Sequence, residues 1–140
     1  MPSPRAYSKE EVLELVLRGE SLEGADLRGT DLSGVNLAGT KLKNSKLGDA
    51  NLFQANLVGA DLSNASLWHA NLKNANLDFA NLEGADLDFA NLDGVTLRNA
   101  RIRKATFPTN KVSMEEVFES VSTGKRLCVS AAAYADDELY

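Results

Sequence analysis

Ala70-Asn71-Leu72-Lys73-Asn74-Ala75-Asn76-Leu77 holds the pattern that decides the fold: Ala, then Asn, then Leu, repeated after five residues. In both directions from this stretch leucine recurs at every fifth position, without a gap, from Leu22 to Leu97, and Ile102 and Phe107 keep the register. The run makes 18 consecutive pentapeptides over residues 20–109, or 90 of the 140 residues. Ala stands two positions before the large apolar residue in 12 of the 18 units, with Glu20, Thr30, Val35, Thr40, Ser45 and Val95 in the others. Asp, Asn, Ser or Thr stands one position before it in 15 of 18, the exceptions being Lys41, Lys46 and Arg101. Three of every five positions are therefore under a common constraint.

A five-residue period suits neither regular element. On an α-helix, at about 100° per residue, successive leucines would lie about 140° apart and smear around the axis. On a straight strand an odd step would throw them to alternate faces. The period works only if the chain turns after every few residues, so that each short extended piece points its Leu, and the Ala two residues earlier, into one interior. Asp or Asn between them then faces outward, where a short side chain can bond the neighbouring backbone. Gly in the last position of many units (Gly24, Gly29, Gly34, Gly39, Gly59, Gly84 and Gly94) permits a corner that a β-branched residue resists.

This A-(D/N)-L-x-x pattern resembles the pentapeptide-repeat family over about two thirds of the chain. The resemblance implies an all-β solenoid: a right-handed, quadrilateral parallel β-helix with four pentapeptides, hence 20 residues, per coil. Residues 20–109 would then form about 4.5 coils, roughly 22 Å tall at about 4.8 Å per stacked strand.

A solenoid exposes an open edge and an apolar layer at each end, so both ends need covers. Ser8-Lys9-Glu10-Glu11 reads as a capping box, followed by Val12, Leu13, Leu15, Val16 and Leu17 and then Gly19. The N-terminal segment 1–19 is therefore expected to hold an amphipathic helix over 8–18. Ser113-Met114-Glu115-Glu116 starts a second box, with Val117, Phe118 and Val121 before Gly124, which predicts a helix over 113–123 in the C-terminal segment 110–140. The two segments match at a constant offset of 105, Ser8, Val12, Gly19 and Leu22 corresponding to Ser113, Val117, Gly124 and Leu127. By analogy the second helix hands over to a short strand, Leu127–Val129, on the tower's end or on a partner. Residues 131–140 are expected to be a mobile tail.

Composition narrows the function. Fifteen Lys and Arg against 20 Asp and Glu give a net charge of −5, the wrong sign for a nucleic-acid-binding surface. One cysteine, Cys128, excludes an internal disulfide and any multi-cysteine metal site, and its apolar setting predicts a buried thiol. No apolar run nears the roughly 18 residues of a membrane span, and no apolar leader follows Met1, so a cytoplasmic protein is expected. The lone histidine, His69, falls on a solvent-facing corner with Asp49 and Phe89 as its axial neighbours at 20-residue spacing. No nucleophile is aimed at it, and no phosphate-binding or zinc motif occurs. The Gly-Gly-x-Gly-x-Asp nonapeptides of calcium-binding β-rolls are likewise missing. No catalytic, cofactor or metal residues are assigned, and no enzyme activity is expected.

The surface remains. Trp68, His69 and Phe89 fall on one wall, with Phe53 and Val58 on the next two walls and Phe79 at a corner, making a candidate partner surface. Charge is banded: Asp78, Glu83, Asp86, Asp88 and Asp93 form an acidic belt, and Arg98, Arg101, Arg103 and Lys104 a basic belt beneath it. Two functions fit. The first is a non-catalytic scaffold or protein-interaction module, monomeric or dimeric through its C-terminal segment; many members of the resembled family, numerous cyanobacterial ones included, have no assigned biochemistry. The second, implied by other members, is a DNA mimic that inhibits or protects a type II topoisomerase, DNA gyrase. For that role the tower carries 11 acids against 9 bases, a net of only −2, whereas duplex DNA carries a charge every ~1.7 Å.

Overall fold

Each Leu opens a turn. In the computed structural model of the chain, which describes residues 7–129, the amide three residues after each Leu donates back to the Leu carbonyl, as Ala75 N does to Leu72 O at 2.9 Å. The second residue of each turn has positive φ, at every fifth position from Gly24 through Lys104, which is the signature of a type II turn. Asn or Asp ahead of Leu braces the same turn from outside: Asn71 Oδ1 accepts from Lys73 N at 3.1 Å and Asn56 Oδ1 from Val58 N at 3.1 Å.

Between turns only three residues are extended, and these pair with the coil above and below. Parallel bridges join residues 20 apart in unbroken ladders, as in Asp26–Lys46–Ser66–Asp86–Thr106. The amides alternate direction: Leu47 N donates to Ser66 O at 2.7 Å, and Lys46 N to Ala25 O at 2.9 Å. The extended pieces therefore pair through isolated single bridges and never lengthen into strands, because a turn intervenes after every third residue. Inside, Leu27, Leu47, Leu67 and Leu87 stack in one column and three equivalent columns fill the other sides, all of them essentially inaccessible to solvent. The Ala positions from Ala50 to Ala90 are equally buried, and Thr30, Thr40 and Ser45 replace Ala in the first coils.

Helix α1 (Lys9–Leu17) lies on the first coil, with Ser8 Oγ accepting from Glu11 N at 3.2 Å. Val12 is fully buried, Tyr7 O accepts from Thr30 Oγ1 at 3.2 Å, and Lys9 Nζ donates to Ser33 O at 3.1 Å. Leu17, expected on the apolar face, is instead 88% exposed. It sits five positions after Val12, about 140° around the helix from it.

Helix α2 (Met114–Thr123) closes the other end, with a reciprocal capping box between Ser113 and Glu116 and a left-handed Gly124 at its C-cap. Val117 and Ser120 are buried, and Phe118 is exposed. The C-terminal segment then runs back along the last coil in the opposite sense to it. Asn99 N is met by Val121 O at 2.9 Å, Gly94 N by Leu127 O at 2.7 Å, and Val129 N reaches Asp93 Oδ1 at 3.0 Å. Leu127 and Val129 are buried but Cys128 is exposed. The expected burial of Cys128 is thus overturned: extended backbone alternates sides with period two, so two inward neighbours force the thiol outward. The tail at 131–140 lies outside the described residues.

Candidate functional site

The bulky groups that the narrow interior cannot hold stand on the walls. Trp68 follows Leu67 as the first turn residue, His69 is the second, with φ of 61°, and Phe89 takes the same left-handed place one coil on, with φ of 60°. Stacking brings the three together. The Trp68 and His69 ring centroids lie 5.4 Å apart, and Phe89 meets Trp68 edge-on at 5.8 Å. Trp68 and Phe89 are 45% and 58% exposed, so this is a solvent-facing aromatic patch on a backbone fixed by ladders on both sides. Phe53 and Val58 are half-buried on the next two walls, and Phe79 is exposed at a corner.

His69 Nδ1 lies 2.6 Å from Asp49 Oδ1, the axial contact that 20-residue stacking requires. Both side chains are well exposed, and a polar contact so wet contributes less than about 1 kcal/mol. Its structural effect is to hold the imidazole against the indole.

The charged belts are partly consumed by the fold. In the acidic belt Glu83 pairs with Arg101 at 2.6 Å, Asp78 Oδ1 accepts from Arg98 N at 2.9 Å, and Asp93 accepts from Val129 N. Asp86 Oδ1 braces its own turn, accepting from Asp88 N at 2.9 Å. In the basic belt Arg98 Nη2 donates to Thr123 O at 2.6 Å, fastening the end of α2. Arg103 and Lys104, with Lys43 three coils away in the same column as Arg103, border a polar depression of about 500 Å³ that also contains Asp61 and Glu83, so neither sign dominates it.

A second group of residues joins Trp68. On the same wall the first-turn column reads Arg28, Gly48, Trp68, and Gly48 leaves an open cleft of about 500 Å³ beside the indole, with Ser66 and Asp86 along it. Arg28 is locked in place by Asp26, Nε–Oδ1 at 2.9 Å and Nη2–Oδ2 at 2.7 Å. Hydrogen bonds from the Arg28 side chain and amide hold the Asp26 carboxyl at about 2, well below its ordinary 3.8. At Asp61 burial pushes the pKa up, but the Ser63 hydroxyl and amide outweigh it and leave the group lowered. The cleft was legible once residues are read at 20-residue spacing, since Gly48 is the only glycine that directly follows a repeat Leu. Among the described residues no group of His, Cys, Asp and Glu is gathered so as to hold a metal, and no helix is long and apolar enough to cross a membrane.

The family profile described as pentapeptide repeats matches residues 16–49, 55–88 and 70–107, with 8 copies. HetL, a pentapeptide repeat protein involved in heterocyst differentiation regulation from the cyanobacterium Nostoc sp. strain PCC 7120, is 38% identical over 64% of this chain, with a TM-score of 0.61. The chain spans 41% of HetL's length. The pentapeptide repeat protein alr5209 from Nostoc PCC 7120 is 33% identical, with 73% of this chain and 89% of that one covered and a TM-score of 0.47. Trypsin-treated QnrB1, a plasmid-mediated fluoroquinolone resistance protein, is 17% identical, with 62% of this chain and 60% of that one covered and a TM-score of 0.30. No curated protein sequence matches the chain.

Proposed function

Because the chain belongs to the pentapeptide-repeat family, we propose that it is a non-catalytic protein-interaction module that engages its partner through the wall carrying Trp68, His69 and Phe89. The observation that carries this reading is the aromatic patch itself. Trp68 stands exposed in contact with both His69 and Phe89 on a backbone held by ladders, and those two residues occupy left-handed positions that glycine fills in other turns. Large pre-ordered aromatic groups are the side chains on which protein interfaces concentrate their affinity. HetL's involvement in heterocyst differentiation regulation supports a regulatory role for a protein of this kind.

The chain acts as a monomer on this reading, since its own C-terminal segment occupies the Gly94, Leu97 and Asn99 amides of the last coil. An exposed free thiol at Cys128 suits a reducing compartment such as the cytoplasm. Light scattering on purified protein tests the first point.

The test of function is affinity capture from source-cell lysate with wild type and Trp68→Ala side by side. A partner retained by wild type and lost from a folded Trp68→Ala is expected; truncating a central aromatic anchor typically costs ~2 kcal/mol or more, about thirty-fold in affinity. Identical capture by both proteins removes the aromatic wall as the interface. The topoisomerase reading takes second place, because acids of the belt are paired with Arg101 or spent on backbone amides. Gyrase supercoiling is accordingly expected to be unaffected by this protein at well above stoichiometric concentration.

A further inference from the structure

We infer that the cleft between Arg28 and Trp68 is a receptor for one aromatic side chain, a tyrosine, presented by the protein partner; the inference rests on the interaction-module reading and gives it a chemistry. Gly48, the floor, is the starting point. Unlike the glycines at the second turn position it has no positive φ, so the turn does not require it. A Cβ placed there would meet Trp68 O at 3.6 Å and Arg28 Cγ at 3.9 Å, which is ordinary contact, so close packing does not require it either. Its effect is to leave a space between two large planar groups.

That space has room for a ring. The backbones of Arg28 and Trp68 belong to coils two apart, about 9.6 Å at ~4.8 Å per coil. A flat ring touching both at about 3.5–4 Å needs most of that distance. Both walls are held before anything binds, Trp68 by His69 and Phe89 and Arg28 by two contacts to Asp26. A pre-ordered site loses little side-chain freedom on binding. The chemistry selects the guest: a guanidinium and an indole both favour an aromatic face. Ser66 and Asp86 at the edge of the cleft offer acceptors for a phenolic hydroxyl, which phenylalanine lacks. A nucleobase would present an equally flat ring, but Asp49 and Asp86 offset Arg28 and Lys46 in the lining, so its phosphate would meet no net positive charge there on a chain of net charge −5.

Trp68 is the only tryptophan, so its fluorescence and its indole N–H resonance report on the cleft without labelling. The probe is N-acetyl-tyrosinamide, titrated into the full chain to millimolar concentration, with its cyclohexyl analogue and a single-stranded DNA oligonucleotide as comparisons. The expected result is a saturable shift of the indole resonance by the tyrosine probe, at least five-fold weaker with the cyclohexyl analogue. Gly48→Leu, which fills the floor, abolishes the shift while its melting curve stays close to wild type, and Arg28→Leu weakens it independently. No saturable shift, an undiminished shift in both variants, or tighter binding of the oligonucleotide overturns the inference. A partner that needs Trp68 but is held equally by Gly48→Leu leaves the interaction module standing and removes the tyrosine receptor.

Discussion

Ser45→Ala is expected to stabilise the protein. Ser45 occupies the inward position that alanine fills in most units, with its axial neighbours Ala25 and Ala65 at the 20-residue spacing. Its side chain is 1% exposed, and Oγ is buried without a hydrogen-bond partner among the described residues. A hydroxyl stripped of water and given no partner costs about 1–3 kcal/mol. Alanine removes that group, keeps the Cβ that packs against the Leu columns, and leaves a deficit smaller than one methyl group. The net gain is about 1 kcal/mol, which for a domain of this size raises Tm by roughly 3–4 °C. Calorimetry and urea unfolding measure it, with an unchanged m-value showing that the folded state has not been altered. The mirror substitution Ala65→Ser should lower Tm by a similar amount, because it strands an identical hydroxyl one coil below. A Tm for Ser45→Ala at or below wild type, or both variants moving the same way, would refute the reasoning and mean that the Ser45 hydroxyl has found a partner.

Other consequences are open to simple measurement. Gly94→Ala should destabilise far more than Gly34→Ala. Both residues have positive φ, worth about 1 kcal/mol against alanine, but a Cβ at Gly94 would also collide with the Asn74 side chain whereas Gly34 has nothing within 4 Å. Paired thermal melts give the comparison, and equal losses would show that Asn74 simply swings away. For Asp26 the lowered folded pKa of about 2 against an ordinary 3.8 means that its stabilisation is present above pH 3.8 and is lost as pH falls through about 2. Asp26→Asn should therefore be less stable than wild type at pH 5, with the difference shrinking as pH falls to 2 and below, as read by urea titration at each pH. Cys128 should react stoichiometrically with a thiol reagent in the native protein, without denaturant; protection from the reagent would return it to the interior.

The fold was legible because its constraint repeats. Leu, Ala and Asn or Asp each answer one local demand, of the interior, the tight inner corner and the turn brace, and the demand returns every five residues. The helices at 9–17 and 114–123 were legible for a different reason, since Ser8 and Ser113 with their downstream glutamates carry the signal of a helix start. What escaped depends on geometry that a linear pattern does not encode. The apolar neighbours of Cys128 point to burial, but the alternation that turns it outward follows from Leu127 and Val129 both reaching the last coil. Leu17 belongs to the apolar run of its helix, yet only the packing angle on the first coil decides which part of an apolar sector is covered. At the candidate site the axial contact Asp49–His69 follows from the 20-residue offset, whereas Phe89 meets Trp68 across a diagonal offset of 21 rather than its axial neighbour His69. The Arg28–Asp26 lock follows from no such offset, because it depends on how a long side chain folds back over its own turn.

The ladders joining residue i to residue i+20 also set the phase in which the chain tolerates length changes. Gain or loss of a single residue throws every downstream leucine out of the interior. A unit of five restores the interior but rotates everything beyond it by a quarter turn, as on a screw thread. Only twenty residues advance the thread by one whole pitch. An inserted pentapeptide between Gly48 and Trp68 would thus give a folded, stable protein whose indole looks out over a different wall from its glycine. The surface of such a protein drifts in quarter-turns while its core stays constant, and relatives of unequal length can share an interior without sharing a single exposed column.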